Sequence, residues 1–192
     1  MSTPLKDAIA LHRDSRTHAP TFNLPLIPPI DEDHCSAWGR QLAKVASKWE
    51  RRKATPDLWH QIPARPGLYF FVWRIPVEFS MDDHPNHCFR FLLYCGQAGA
   101  GDSKNTLRDR YKNEYSVYLK GDPENLFSAS SPMRRKELLG RWLLLHPLEY
   151  WWAEVDDKSK LADLEKELIR ILAPPLNTQH NQLTVAARRP AF

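Results

Sequence analysis

Apolar positions along this chain follow two periods. Residues 67–74, GLYFFVWR, carry two apolar sets, Leu68, Phe70 and Val72 alternating with Tyr69, Phe71 and Trp73. A strand apolar on both faces belongs in a sheet covered on both sides. Residues 89–98, FRFLLYCGQA, predict a second strand, hairpin-paired with the first, with 75–88 as a polar connector. Residues 148–155, LEYWWAEV, predict a third.

Helical period marks four further stretches. Trp38, Leu42, Val45 and Trp49 stripe residues 36–53. Ser103 is placed to cap a helix running to about Lys120. After a loop at 121–131, Pro132 opens MRRKELLGRWLLL. Residues 158–172 are the most strongly periodic, and Pro174 and Pro175 stop them. The order β-β-α-α-β-α predicts an α/β (α+β) fold, a small three-stranded mixed or antiparallel sheet flanked by helices. Residues 1–60 read as an N-terminal arm and helix, 61–180 as the core domain with insertions at 75–88 and 120–147, and 181–192 as a C-terminal tail.

Composition narrows the class. The chain has 192 residues, 42% hydrophobic and 26% charged, which excludes a wholly disordered or fibrous protein. The net charge is 27 − 23 = +4, compatible with a polyanionic partner without requiring one. Cys35, Cys88 and Cys95 are odd in number and contain no CxxC pair. This argues against a disulfide framework and a zinc ribbon and fits a reducing, cytoplasmic compartment. The N-terminal residues hold no apolar signal region, and the apolar run at 68–73 is too short to span a bilayer, so no membrane partner is expected.

One residue breaks the pattern of the last helix. At about 100° per residue, Leu161, Leu164, Leu168, Ile169, Ile171 and Leu172 form one stripe, with Asp163, Lys166, Glu167 and Arg170 opposite or at its edge. Glu165 falls inside the stripe. A carboxylate facing a core is costly unless paired or bound to a cation. A partner such as Arg108 or Arg110, a side chain reaching past the core rim to water, and a bound cation each explain it.

The order of short motifs then adds a resemblance. Gly67-Leu68-Tyr69 opens one strand and Tyr94-Cys95-Gly96 closes the next. Leu107-Arg108-Asp109-Arg110-Tyr111 follows on a helix, and Leu164-Glu165-Lys166-Glu167-Leu168-Ile169 on the last one, with Pro174 and Asn177 beyond. This ordered set resembles the GIY-YIG nuclease superfamily, over residues 67–98, 103–116 and 148–178. Its most specific part is E-x-x-L-I-x(4)-P-x-x-N. Size and the long hairpin resemble the restriction-endonuclease branch.

The resemblance implies a DNA-hydrolysing endonuclease with one divalent metal, Mg²⁺ or Mn²⁺. It implies five site residues converging on one concave surface, with Tyr69 and Glu165 on the same side of the sheet. Tyr69 and Tyr94 would line the attacking side, with Tyr69 relaying a proton from water. Arg110 would brace the scissile phosphate, Glu165 would hold the metal, and Asn177 would orient a neighbouring group. The chemistry suits these types: a metal on a carboxylate supplies Lewis acidity, and an arginine fork fits phosphate oxygens. Many members carry a histidine one turn after the arginine; here Glu114 stands there, so that either Tyr111 or Tyr115 substitutes or the role is absent. A single site cuts one strand, so concerted double-strand cleavage would need a homodimer on the substrate.

Other features are weighed against blander readings. Lys104, Arg108, Lys112, Arg134, Arg135, Lys136 and Arg141 could track a phosphate backbone, although charged helix faces are usually only solvated. Asp82, Asp83, His84, His87 and Cys88 match no trusted metal-ligand spacing. Trp73, Trp151 and Trp152 fit sheet packing better than base stacking. A structure-specific repair nuclease, an RNA-directed nuclease, a toxin-like nuclease and a non-catalytic nucleic-acid-binding protein on the same scaffold remain alternatives.

Overall fold

The strand that is apolar on both faces lies inside a sheet, as its pattern requires. The computed structural model describes residues 32–81, 84–120, 139, 140, 143, 148–177 and 179. In chain order its elements are α1 (Glu32–Val45), β1 (Glu50–Lys53), β2 (Gly67–Met81), β3 (His84–Ala98), α2 (Leu107–Arg110), a π turn (Tyr111–Tyr115), α3 (Ser116–Leu119), β4 (Leu148–Glu154) and α4 (Leu161–Leu172). The strands form an antiparallel sheet of order β1-β4-β2-β3. The architecture is α+β, with four strands in place of the three predicted.

The extra strand comes from the region read as one long helix. The helix ends at Val45, and Ala46 already bridges Val155. Ser47 N donates to the Glu154 carbonyl at 2.8 Å, and Ser47 Oγ accepts from Glu154 N at 2.8 Å. Residues Glu50–Lys53, ERRK, then pair with β4, Arg52 opposite Tyr150. A polar, fully exposed tetrapeptide favours helix by propensity, but the open edge of β4 supplies backbone partners, and tertiary pairing wins.

The hairpin is longer than its apolar pattern. Pairing continues through the stretch read as a connector, with Glu78 opposite Cys88 and Met81 opposite His84. The register shifts between Arg74 and Glu78, where Pro76 removes a ladder donor. Asp82 and Asp83 fall outside the described residues. So do the 1–31 arm, the 121–131 loop, most of the 132–147 segment and the tail; Leu139, Gly140 and Leu143 are helical and buried.

The two faces of the sheet carry separate cores. Tyr69, Phe71, Tyr94, Tyr150 and Trp152 pack with Leu107, Tyr111 and Tyr115 on one face, called here the tyrosine face. Leu68, Cys95 and Val155 pack with Leu161, Leu168 and Ile169 on the other, the α4 face, where Trp38, Leu42 and Trp49 also close in. Trp49 stacks on Phe70 with centroids 4.5 Å apart. Within α4 the predicted stripe holds except at Leu172, which is 42% exposed near the helix end. Ala173 then ends the helix in the left-handed region, φ 42°, and the two prolines follow.

Candidate active site

Two glycines let the motif tyrosine take its place. Tyr69 lies directly opposite Gly96 in the hairpin register. A Cβ at Gly96 would sit 2.5 Å from the Tyr69 hydroxyl oxygen and Cζ, so only glycine leaves room for the phenol. A Cβ at Gly67 would collide with the Ala153 carbonyl oxygen and press on Leu107. Both motif glycines therefore have a steric cause in this chain, independent of any reaction.

The tyrosine face is dry and dense with hydroxyls. Tyr69 and Tyr115 share a hydrogen bond of 2.7 Å between their phenolic oxygens. The Tyr94 ring lies 6.1 Å from that of Tyr69, and Tyr150 stacks on Tyr69 at 5.5 Å. Tyr69, Tyr94 and Tyr115 are only 2%, 6% and 3% exposed. Burial, reinforced by the neighbouring tyrosines, holds the Tyr69, Tyr115 and Tyr150 hydroxyls well above the ordinary phenol range. The relay expected of Tyr69 thus starts from a neutral phenol bonded to a second phenol, not from one facing bulk water.

A distorted helix brings Tyr115 there. Helix α2 starts at Leu107, not near Ser103, because Thr106 forms a reciprocal cap with Asp109, accepting from Asp109 N at 3.2 Å. The chain then widens into the π turn, where Ser116 N donates to the Tyr111 carbonyl rather than to that of Lys112. The Lys112 carbonyl would lose its partner, but the Ser116 hydroxyl donates to it at 2.7 Å. Tyr111 and Tyr115 both become buried. Tyr111 donates its hydroxyl to the Thr55 carbonyl at 2.9 Å, so Tyr115 is the one joined to Tyr69. Of Tyr111 and Tyr115, the structure joins Tyr115 to the cluster.

Arg110 borders this cluster. Its guanidinium forms an ion pair with Glu114 and is 27% exposed. Burial works against its charge, but the Tyr69 oxygen and the Glu114 carboxylate outweigh that and strengthen it. Arg110 Nε and the Tyr150 hydroxyl are buried with no hydrogen-bond partner among the described residues. Each such group costs about 1–3 kcal/mol unless a water or ligand atom meets it.

Glu165 and Asn177 approach from the other side. Asn177 Oδ1 accepts from Cys95 N at 2.9 Å, and its Nδ2 donates to the Cys95 carbonyl at 2.8 Å. Its amide thereby acts as one more strand residue on the free edge of β3, beside the Leu176 N to Leu93 carbonyl bond of 3.0 Å. Glu165, half-buried on α4, lies near the Cys95 thiol. Burial, and then that carboxylate, push the thiol well above its ordinary value.

The expected common surface is thereby corrected. Tyr69, Tyr94 and Arg110 belong to the tyrosine face, whereas α4, which carries Glu165, packs on the opposite one. Strand alternation is the reason: Leu68 and Cys95 face α4, so Tyr69 and Tyr94 must face away. Among the described residues the two halves approach each other at residues 94–96 of β3, with Asn177 on its edge. Among the described residues no group of three His, Cys, Asp or Glu is placed to hold a metal. Mg²⁺ is content with one or two carboxylates when waters and phosphate oxygens complete its shell, so Glu165 fits that role chemically.

The expected phosphate contacts divide. Lys104 and Lys112 are exposed, Lys112 resting over Trp59 at 4.3 Å. Arg108 instead straps the segment between β1 and β2, its Nε donating to the Ile62 carbonyl at 2.8 Å. Arg134, Arg135, Lys136 and Arg141 lie outside the described residues. Sequence reasoning missed Ser116; its hydroxyl in a helix interior was the only signal. Among the described residues no helix is long and apolar enough to cross a membrane. Comparison with family models, with curated proteins and with solved structures finds no match to this chain.

Proposed function

We propose that the chain is a metal-dependent endonuclease that hydrolyses DNA phosphodiester bonds. The observation that supports it is the cluster of Tyr69, Tyr94, Tyr115 and Arg110 over residues 94–96 of β3, the same segment whose edge and reverse side carry Asn177 and Glu165. In hydrolysis a water oxygen bonds to phosphorus, the bond to the leaving oxygen breaks, and that oxygen takes a proton. Arg110 would hold the non-bridging oxygens as their charge grows. Tyr69 and Tyr115, both neutral phenols, would act as a relay: Tyr69 would take the proton the attacking water loses while giving its own to Tyr115, and Tyr115 would give up its own in turn toward the leaving oxygen. Glu165 would hold the divalent metal, which supplies Lewis acidity when bound. Asn177 fixes the main chain at Cys95 and so the direction of Tyr94.

The opposite-face placement of Tyr69 and Glu165 favours a second reading, a nucleic-acid-binding protein on the same scaffold without catalysis. Glu165→Ala separates the two. For a nuclease, plasmid cleavage in Mg²⁺ falls by about a hundredfold or more, while the metal-free melting temperature and duplex binding hold. Near-normal cleavage by a folded Glu165→Ala protein would remove the metal role. A wild-type chain that binds DNA but leaves plasmid intact in Mg²⁺ and in Mn²⁺ supports the second reading.

A further inference from the structure

Among the described residues, helices cover the α4 face of the sheet along only part of its length. Helices α1 and α4 close over Leu68, Phe70, Cys95 and Val155. Further along the strands, the side chains on this face change character. By register and alternation, Arg51 and Lys53 of β1, Trp151 and Glu149 of β4, Arg74 of β2 and Arg90 of β3 follow one another on it.

Two features of this row are costly for folding alone. Arg74 and Arg90 stand directly opposite each other across antiparallel strands, a like-charge pairing that destabilises a sheet. Strand β1 sets Arg51 and Lys53 two residues apart on the same side, both exposed, while Arg52 between them pairs with Glu50. A carboxylate is set among them: Glu149 accepts from Arg90 Nε at 3.3 Å and from Trp151 Nε1 at 2.8 Å. Arg51 sits over the Trp151 ring at 6.0 Å. Arg51, Arg52, Lys53, Arg74, Leu148 and Glu149 line a hollow of about 390 Å³. Cations brought together from separate strands at a cost in stability fit a surface kept for a polyanion.

We propose that this open half of the α4 face is a docking track for the phosphate backbone of duplex DNA, with Arg51, Lys53, Arg74 and Arg90 as its contacts. The choice of DNA as occupant rests on the nuclease reading. Position agrees with it: Arg90 lies five residues along β3 from Cys95, about 17 Å at roughly 3.4 Å per residue. That is within one duplex turn of about 34 Å. One duplex could therefore lie on the track and reach the β3 edge beside Glu165.

The test is duplex binding by the full chain in chelator, where cleavage is silent, as a function of salt. Arg51→Ala/Lys53→Ala removes two exposed cations from an edge strand, and its melting temperature provides the folding control. The track requires a roughly tenfold loss of affinity and a log–log salt slope shallower by about 1.8, that is 2 × 0.9. A folded double variant with unchanged affinity and slope overturns the track and leaves the nuclease reading standing. A wild-type chain that binds no duplex overturns both. Tighter binding of polyglutamate than of duplex overturns DNA as the occupant.

Discussion

The two faces of this sheet are made by the same strands, yet they are stabilised by different physics. The α4 face is closed by aliphatic stripes from two amphipathic helices, and its polar residues stay at the rim or along the uncovered cationic row. The tyrosine face is closed by aromatic rings that carry hydroxyls into the interior, each needing a partner or incurring a penalty. One face tolerates substitution by anything apolar of similar volume. The other is a network in which position, protonation and backbone shape are linked.

That contrast fixes the response to pH. The folded-state pKa values of Tyr69, Tyr115 and Tyr150 are raised above the unfolded value near 10. Their contribution to stability is complete below that pH and is lost as pH rises beyond it. Each adds up to about 1.4 kcal/mol per pH unit, so three give roughly 4 kcal/mol per unit. Cys95 adds a loss of the same sign on the α4 face, starting nearer the ordinary thiol value. Melting temperatures across the alkaline range should be flat to about pH 8 and fall steeply above about pH 10. A flat profile to pH 11 or so would mean the hydroxyl face is not dry.

Gly96 separates the faces at one position. Gly96→Ala should destabilise by about 3 kcal/mol, because a methyl meets the Tyr69 phenol and the dense surroundings cannot yield. Tyr69→Phe in the same background should recover part of that loss, since the hydroxyl is one of the clashing atoms. Chemical denaturation of the single and double variants reads the coupling; strict additivity would place the clash elsewhere.

The smallest effect concerns the π turn. Ser116→Ala removes the hydroxyl that satisfies the Lys112 carbonyl and should cost about 1 kcal/mol. The turn then gains by reverting to α-helix, with Ser116 N returning toward residue 112 and Tyr115 rotating off Tyr69. Near-ultraviolet dichroism of the tyrosines should change more than the melting temperature does. A variant with unaltered tyrosine signals would show that packing alone holds the turn.

Legibility followed the range of the forces involved. The apolar pattern of residues 67–74 required a covered central strand, and Tyr69 falls opposite Gly96, with Tyr94 opposite Phe71, because alternation and register leave little freedom. The stripe of α4 and the position of Glu165 within it were readable for the same reason. The connector at 75–88 was misread although Ile75, Val77, Phe79 and Met81 keep a strand period, because Pro76 and the polar run from Asp82 to His87 read as a loop and the register shifts that accommodate them appear only in the paired sheet. The cationic row was invisible, since β1 and β4 are distant in sequence from each other and from the β2–β3 hairpin that carries Arg74 and Arg90.

By itself the sequence determined the α+β class, the central two-faced strand, the amphipathic last helix and the identity of the polar residues beside them. These depend on periods of two and 3.6, which any window of the chain displays. Only the tertiary structure decided that ERRK is a strand, that Tyr115 rather than Tyr111 joins Tyr69, and that Glu165 and Tyr69 lie on opposite faces. Those outcomes turn on which backbone groups of distant segments need partners: the open edge of β4, the carbonyl freed by the π turn, and the bare edge of β3 that Asn177 completes. Such needs arise only once the sheet exists, and local sequence carries no record of them.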